Sequence, residues 1–221
     1  MRHPAVLLLA PALLLAASAR ADGPVQAWPA AILSVGLGDK WSATGDVVGR
    51  IARDPARASQ LRWRVSASRR VGARVTLALS YARTVSYNRG RRDGIEDQLA
   101  AQLGWAIGTI GPVALSSRTR LDQRFIVGAD RTAWRLREQI RAVLPIKGTP
   151  VSGVAWAEPF VALNRTSATP VTFDQLRAFA GVSLRLSRHA DVEFGYLNQH
   201  IHRLSGDVSN DVVPVVLNLR F

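Results

Sequence analysis

His200 and His202 in "NQHIH" (Asn198 to His202) stand two residues apart. On a strand, positions i and i+2 share a face, so Tyr196 and both imidazoles fall together. Imidazoles so placed serve as general bases or metal ligands, but two ligands are too few for a tight metal site. Covalent catalysis also needs a nucleophile held against its base. Ser205 and Ser209 follow closely, with no nucleophile motif around them. His189 stands apart near a turn. No catalytic residue, metal ligand set or cofactor is expected from these residues. The absence of cysteine excludes thiolate sites and disulfides.

The second chemistry is charge. Arg62, Arg64, Arg118, Arg120, Arg124, Arg135, Arg137, Arg141, Arg177 and Arg185 recur at alternating positions, with Glu96, Asp122, Glu158 and Glu193 on the same faces. Guanidinium is a fixed cation with a planar fork of donors. Lining a tunnel, such a set would lower the barrier for anions. Alternatively, it would interlock with the carboxylates and fill the tunnel, because an unpaired buried charge is costly. The arginine excess keeps the first reading open beside the second. "GLG" (Gly36 to Gly38) is followed by no helix, which removes a nucleotide loop.

The elements that carry these residues have a period of two. "LRWRVSAS" (Leu61 to Ser68) sets Leu61, Trp63, Val65 and Ala67 against Arg62, Arg64, Ser66 and Ser68. "ARVTLALSYA" (Ala73 to Ala82), "SRTRLDQRF" (Ser117 to Phe125) and "LRAFAGVSLRLS" (Leu176 to Ser187) repeat the pattern. In "AWRLREQIRAVL" (Ala133 to Leu144) Glu138 falls on the apolar side, and a bulge turning it inward is expected. Short connections such as "GTIG" (Gly108 to Gly111) and "KGTP" (Lys147 to Pro150) alternate with long polar ones. Expected long loops include "SYNRGRRDG" (Ser86 to Gly94), "NRTSATPVTFD" (Asn164 to Asp174) and "RLSGDVSND" (Arg203 to Asp211). Short turns on one side and long loops on the other make the pattern of an outer-membrane meander.

The first residues point to export. Met1-Arg2-His3 is a basic start, Ala5 to Ala19 an apolar run too short for an ordinary spanning helix, and "ARA" (Ala19 to Ala21) a small-x-small cleavage site. A signal peptide at 1–21 and a single domain at 22–221 are expected. Losing Arg2 and Arg20 lowers the net charge of +13 only to +11. Export removes intracellular nucleic acid as a partner; anionic lipid suits the charge. No later stretch reaches the ~20 apolar residues of a membrane helix.

A soluble barrel that binds a ligand also alternates, with its apolar face inside. The strands here are longer than the soluble average of about 5–6 residues. Small residues such as Ala78, Ser80, Ala82, Ala100, Gly104, Gly181 and Ser183 share the polar faces, as a narrow lumen requires. Trp41, Trp63, Tyr81, Trp105, Trp134, Phe194 and Tyr196 sit on apolar faces, as in girdles at a lipid boundary. "VVPVVLNLRF" alternates through Val213, Val215, Leu217, Leu219 and Phe221. It resembles the last-strand assembly signal of outer-membrane barrels, recognised while its edge is unpaired. Hydrocarbon offers no water to unpaired backbone, so the sheet must close. The expected fold is therefore all-β: a transmembrane antiparallel up-and-down β-barrel of twelve strands, or ten, with both termini periplasmic.

"SSRTRLDQRF" (Ser116 to Phe125), "WRLREQIRAVLP" (Trp134 to Pro145), "AWAEPFVALN" (Ala155 to Asn164), "FDQLRAFAGVSLRLS" (Phe173 to Ser187) and "DVEFGYLNQ" (Asp191 to Gln199) occur in that order. Together they resemble a family of uncharacterised bacterial outer-membrane β-barrels, domain of unknown function 2490. The resemblance implies a Gram-negative outer-membrane location and no transferable activity. The expected function is a passive narrow pore or structural barrel with an arginine-rich lumen, not an enzyme. The alternatives are a lipid-modifying hydrolase or deacylase using His200 or His202, and a soluble periplasmic ligand-binding barrel. Expected partners are outer-membrane lipids, lipopolysaccharide at Arg89, Arg91 and Arg92, and the barrel-assembly machinery at the last strand.

Overall fold

The computed structural model describes residues 25–52, 59–169, 172–203 and 206–221. The expected signal peptide at 1–21 lies outside these residues. They form eleven strands: β1 (Gln26–Gly38), β2 (Trp41–Ala52), β3 (Ser59–Arg70), β4 (Val75–Asn88), β5 (Arg91–Ile110), β6 (Val113–Ile126), β7 (Ala133–Pro145), β8 (Val151–Ala162), β9 (Phe173–Arg185), β10 (Ala190–Ile201) and β11 (Val208–Arg220). Sequential strands pair antiparallel, and β1 pairs with β11 to close the barrel.

The strand count corrects the expected twelve or ten. With eleven strands, the first and last point the same way, so Gln26–Ser34 runs parallel to Val212–Arg220. The same parity puts the start of β1 and the end of β11 at opposite ends of the barrel, not together. Among the described residues no extra strand lies near Pro29, which falls within β1. Proline removes one ladder donor without ending a strand. Apart from a register shift at Gly36/Gly38 beside the turn, the β1–β2 ladder lapses between Ala27↔Ile51 and Ala30↔Val48. There Gly49 leaves room: a Cβ on it would sit 3.4 Å from the Pro29 ring. Pro214 and Pro159 coincide with similar lapses in the β10–β11 and β7–β8 ladders.

Strand ends at one rim are joined by short turns. Asp39 and Lys40 join β1 to β2 with φ of 44° and 69°, the sign that type I′ hairpins require. Contrary to the expected long loop at Ser86–Gly94, β4 and β5 run on to a two-residue turn at Arg89 (φ 48°) and Gly90 (φ 75°). The polar residues there belong to a projecting hairpin, with Arg89, Arg91 and Arg92 exposed near its tip. At the same end, segments 127–132 and 163–169 are clipped together. Asp130 accepts from the Ser167 backbone N–H at 2.7 Å, and Asn164 accepts from the Trp134 N–H at 2.6 Å.

The outward face is apolar. Leu61, Val65, Leu77, Leu79, Leu99, Leu103, Ile140, Val213 and Val215 are exposed, as are Trp41, Trp63, Trp105 and Trp134. A continuous apolar exterior far exceeds what a water-facing surface carries. It is the opposite of the apolar-inside soluble barrel. Polar groups on this face are matched among themselves. Asp97 accepts from Tyr81 Oη at 2.6 Å and Arg83 Nε at 2.8 Å. Glu138 also stays outside, correcting the expected bulge: the β6–β7 register is unbroken through Thr119↔Glu138. Its carboxylate accepts from the hydroxyls of Ser117 and Thr119.

Inside, an apolar cluster of Trp28, Val154, Phe179, Leu197 and Val212 lies against the wall formed by β1 and β8–β11. Gly181 and Gly195 face each other across β9 and β10. A Cβ on Gly181 would lie 2.2 Å from the Phe194 carbonyl oxygen and 2.6 Å from the Phe179 ring.

Two outcomes follow from this packing. Gly181→Ala costs about 1–3 kcal/mol through overpacking, read from the urea midpoint of the detergent-folded barrel. Gly153→Ala, whose Cβ meets nothing closer than 3.9 Å, leaves that midpoint in place; equal midpoints for the two variants would contradict the close approach. The Ser167 N–H, with Arg131 beside it, holds the Asp130 carboxyl below the ordinary carboxylate range. A lowered folded-state pKa stabilises the clip above the unfolded value and loses that contribution as pH falls through the folded one. The Ser167 amide is therefore expected to lose protection from hydrogen exchange on acidification. Asp130→Asn removes that pH dependence.

Candidate functional site: an arginine waist in the lumen

The inward positions of β2, β3, β6, β7, β9 and β11 carry the lumen cations, since these arginines share the inward parity of their strands; Arg69 on β3 has the other parity and lies against Trp41. The inward faces of β4 and β5 are small there: Ala82 and Ala100 are buried beside Ser80. The space they leave is taken by Arg120 and Asp122, which are 2% and 0% exposed. Arg120 donates to Asp122 at 2.8 Å and to Ser80 Oγ at 3.2 Å.

Three carboxylates organise the centre. Asp46 takes Arg62 at 3.1 Å and Arg64 at 2.5 Å. Asp122 takes Arg120, with Arg135 at 3.4 Å and Arg137 at 3.6 Å. Glu158 takes Arg118 at 2.9 Å and Arg137 at 3.3 Å. Toward the long-loop end Glu96 grips Arg124 through both oxygens, at 2.6 and 2.8 Å. Toward the short-turn end Glu193 grips Arg141 and Asp191 grips Arg220.

Arg50 and Arg177 differ from the rest. Among the described residues neither has a carboxylate partner. Arg50 donates to the neutral amide of Gln60 at 2.8 Å. Arg177 donates Nε at 2.6 Å and Nη2 at 3.0 Å to Gln175, with that amide's oxygen turned toward it. Both guanidiniums lie over the Trp28 ring, at 4.5 and 5.1 Å from its centre. Arg135, Arg137 and Arg177 crowd the Phe160 ring at 5.0, 4.9 and 4.8 Å. A cation over an aromatic face is attracted to the ring's negative quadrupole, so Trp28 and Phe160 help to position Arg50 and Arg177, which no carboxylate holds among the described residues.

These side chains form a waist. A cavity of about 610 Å³ opens on its short-turn side, reaching Arg118, Arg141, Asp191 and Glu193. One of about 640 Å³ opens on the other side, reaching Gln60, Glu96, Arg124 and Gln199. Trp28, Arg50, Arg62, Arg137 and Arg177 line both. The Nε–H groups of Arg50, Arg62, Arg118, Arg135 and Arg137 are buried without a hydrogen-bond partner.

Of the lumen residues expected from sequence, Arg62, Arg64, Arg118, Arg137, Arg141, Glu158, Arg177 and Glu193 line the first cavity. Glu96, Arg124 and Arg135 line the second, and Arg120 and Asp122 are buried against the inner wall beside Ser80. Arg185 lies at the short-turn rim, exposed and outside both cavities. Sequence reading missed Asp46 and Arg50. Extending the alternation of "WSATGDVVGRIA" would have placed both on one inward face. It also left the inward Trp28, Trp156, Phe160 and Phe179 unassigned, although Phe179 shares the parity of Arg177 and Phe160 that of Glu158.

Val213, Val215, Leu217, Leu219 and Phe221 alternate on the outward side of β11. Phe221 stacks on His189 at 5.2 Å between ring centres. His200 and His202 contact the two oxygens of Asp207, at 3.3 and 2.6 Å. Ser209 pairs with His200 across β10–β11; its hydroxyl accepts from Asn198 at 3.0 Å. Ser205 lies outside the described residues.

The family described as Protein of unknown function (DUF2490) matches residues 25–210. An uncharacterised protein of Methylorubrum extorquens is 35% identical over 222 residues, covering 96% of each chain. Among solved structures, LpxR from Salmonella typhimurium superposes with a TM-score of 0.53 at 10% identity, covering 86% of this chain and 87% of that one. That likeness is one of fold.

Because Asp122 answers three guanidiniums, Asp122→Ala destabilises the folded barrel by about 3–5 kcal/mol, measured by urea titration. Adding Arg137→Gln restores part of the loss by removing one stranded cation. A single variant as stable as the parent would mean that water, not the carboxylate, balances these charges.

Proposed function

The chain belongs to the DUF2490 family, and we propose that it is a passive outer-membrane β-barrel whose lumen is stoppered at the waist by its own side chains. The observation that carries this reading is the sharing of Trp28, Arg50, Arg62, Arg137 and Arg177 by two cavities that open toward opposite ends. A small barrel is readily filled by side chains, and the guanidinium–carboxylate lattice ties the filling to the walls. Anions are drawn into both vestibules by the excess of arginine. Passage through the waist requires its side chains to move.

The apolar exterior supports a bilayer setting, and the shared fold with LpxR supports the outer membrane. In that setting Arg89, Arg91 and Arg92 at the hairpin tip meet lipopolysaccharide phosphates. Val213 to Phe221 present their apolar side to the assembly machinery before β1 covers the edge. A second reading, catalysis on membrane lipid, is favoured by Asp207 between His200 and His202 and by Ser209 opposite His200. Release of fatty acid from phospholipid or lipopolysaccharide by the purified protein, lost in His202→Ala, would establish it.

Planar-bilayer recording tests the stoppered barrel. The parent protein gives no steady open-channel current. Trp28→Ala with Arg50→Ala and Arg177→Ala opens a current with an anion-favouring reversal potential, because Arg62, Arg64 and Arg118 remain. A steady current from the parent, or a cation-favouring one from the variant, would contradict the reading.

A further inference from the structure

We propose that the waist is a binding site for a small free oxoanion of the phosphate or sulfate class, held chiefly by Arg50 and Arg177. The inference rests on the stoppered-lumen reading for its setting and adds a ligand to the same residues. Three observations carry it.

The first is charge. At the centre Asp46, Asp122 and Glu158, with Asp174 at 3.9 Å from Arg135, must answer six guanidiniums, while Arg50 and Arg177 have no carboxylate among the described residues. An uncompensated cation removed from bulk water is strongly disfavoured, so the cluster calls for an anion that the described chain does not supply.

The second is how the two unmatched cations are held. Gln60 and Gln175 fix their orientation through neutral oxygens, and the Trp28 ring lies against both guanidiniums. A carboxylate in place of either glutamine would cancel the charge. A neutral amide positions the guanidinium and leaves its field intact. A planar fork so positioned matches paired oxygens.

The third is unmet donors with an open approach. The Nε–H groups of Arg50 and Arg62 are buried and unpartnered at the waist, and that of Arg137, 3.6 Å from Asp122, is buried without a hydrogen bond. All three side chains face both cavities, of about 610 and 640 Å³. Buried donors without partners mark the place of a water or an ion. A free ion can enter from either vestibule. A lipid cannot bring its phosphate there, because its acyl chains would have to leave the hydrocarbon and enter a charged lumen.

The test uses the full barrel folded in a zwitterionic detergent. Inorganic phosphate is titrated against chloride at matched ionic strength, with tryptophan emission and thermal midpoint as readouts. The parent is expected to respond saturably to phosphate, and sulfate is expected to substitute for it. Arg50→Gln with Arg177→Gln weakens half-saturation at least about tenfold, the loss of one or more charge-assisted contacts. Arg141→Gln, outside the waist, does not. Should the double variant fail to fold, Trp28→Phe decides: the emission change vanishes while the midpoint shift remains. A parent with no saturable response, a response unchanged in Arg50→Gln/Arg177→Gln, or a response to phosphatidylglycerol micelles but not to phosphate would overturn the proposal. Current recording is independent of these outcomes: a conducting parent that binds phosphate sinks the stopper alone, and a silent parent that ignores phosphate sinks the anion site alone.

Discussion

In hydrocarbon an unpaired backbone amide finds no water, and the parallel pairing of Gln26–Ser34 with Val212–Arg220 removes the last row of such groups. The other features depend on that seam. An odd number of strands forces the seam to be parallel. Parallel pairing puts the beginning of β1 at the long-loop rim and the end of β11 at the short-turn rim. The carbonyl of Phe221 accepts from Gly36, and its N–H donates to Ser34, so even the terminal residue is paired.

Closure then creates an interior that is narrow at the waist and too charged for a hydrophobic core. The chain resolves this by dividing the work among strands. β4 and β5 contribute small residues that leave space. β6 and β7 contribute Arg118, Arg120, Arg124, Arg135, Arg137 and Arg141. The carboxylates come from both sides of this arc, Asp46 on β2 and Glu158 on β8, with Asp122 within it. Replacing such a network with apolar side chains often stabilises a protein, so its retention argues for what the charge does. Aromatic rings hold the cations that carboxylates do not reach, which leaves the waist positive and structurally tied.

Much of this was legible in the sequence because alternation is a local property. "LRWRVSAS" and "SRTRLDQRF" assign every side chain to a face without knowledge of any partner strand. Strand count was not legible, since it depends on whether residues around Pro29 form one strand or two and on which strand they meet. The hairpin at Arg89–Gly90 was hidden because the same polar residues suit a loop or a protruding ribbon. Glu138 was misjudged for a physical reason: a carboxylate on an apolar face need not turn inward when Ser117 and Thr119 stand beside it. The inward aromatics were left unassigned: parity alone puts Phe179 beside Arg177, but that a ring lies under a guanidinium depends on neighbours from other strands.

The six tryptophans divide the molecule's two faces: Trp41, Trp63, Trp105 and Trp134 point outward, and Trp28 and Trp156 line the lumen. Fluorescence quenching by lipids brominated on their acyl chains therefore reads orientation directly. A variant keeping only the four outward tryptophans should be quenched strongly, and one keeping only Trp28 and Trp156 should be nearly untouched. Quenching confined to the second variant, or absent from both, would contradict a barrel that turns its apolar face to hydrocarbon and its guanidiniums to the axis.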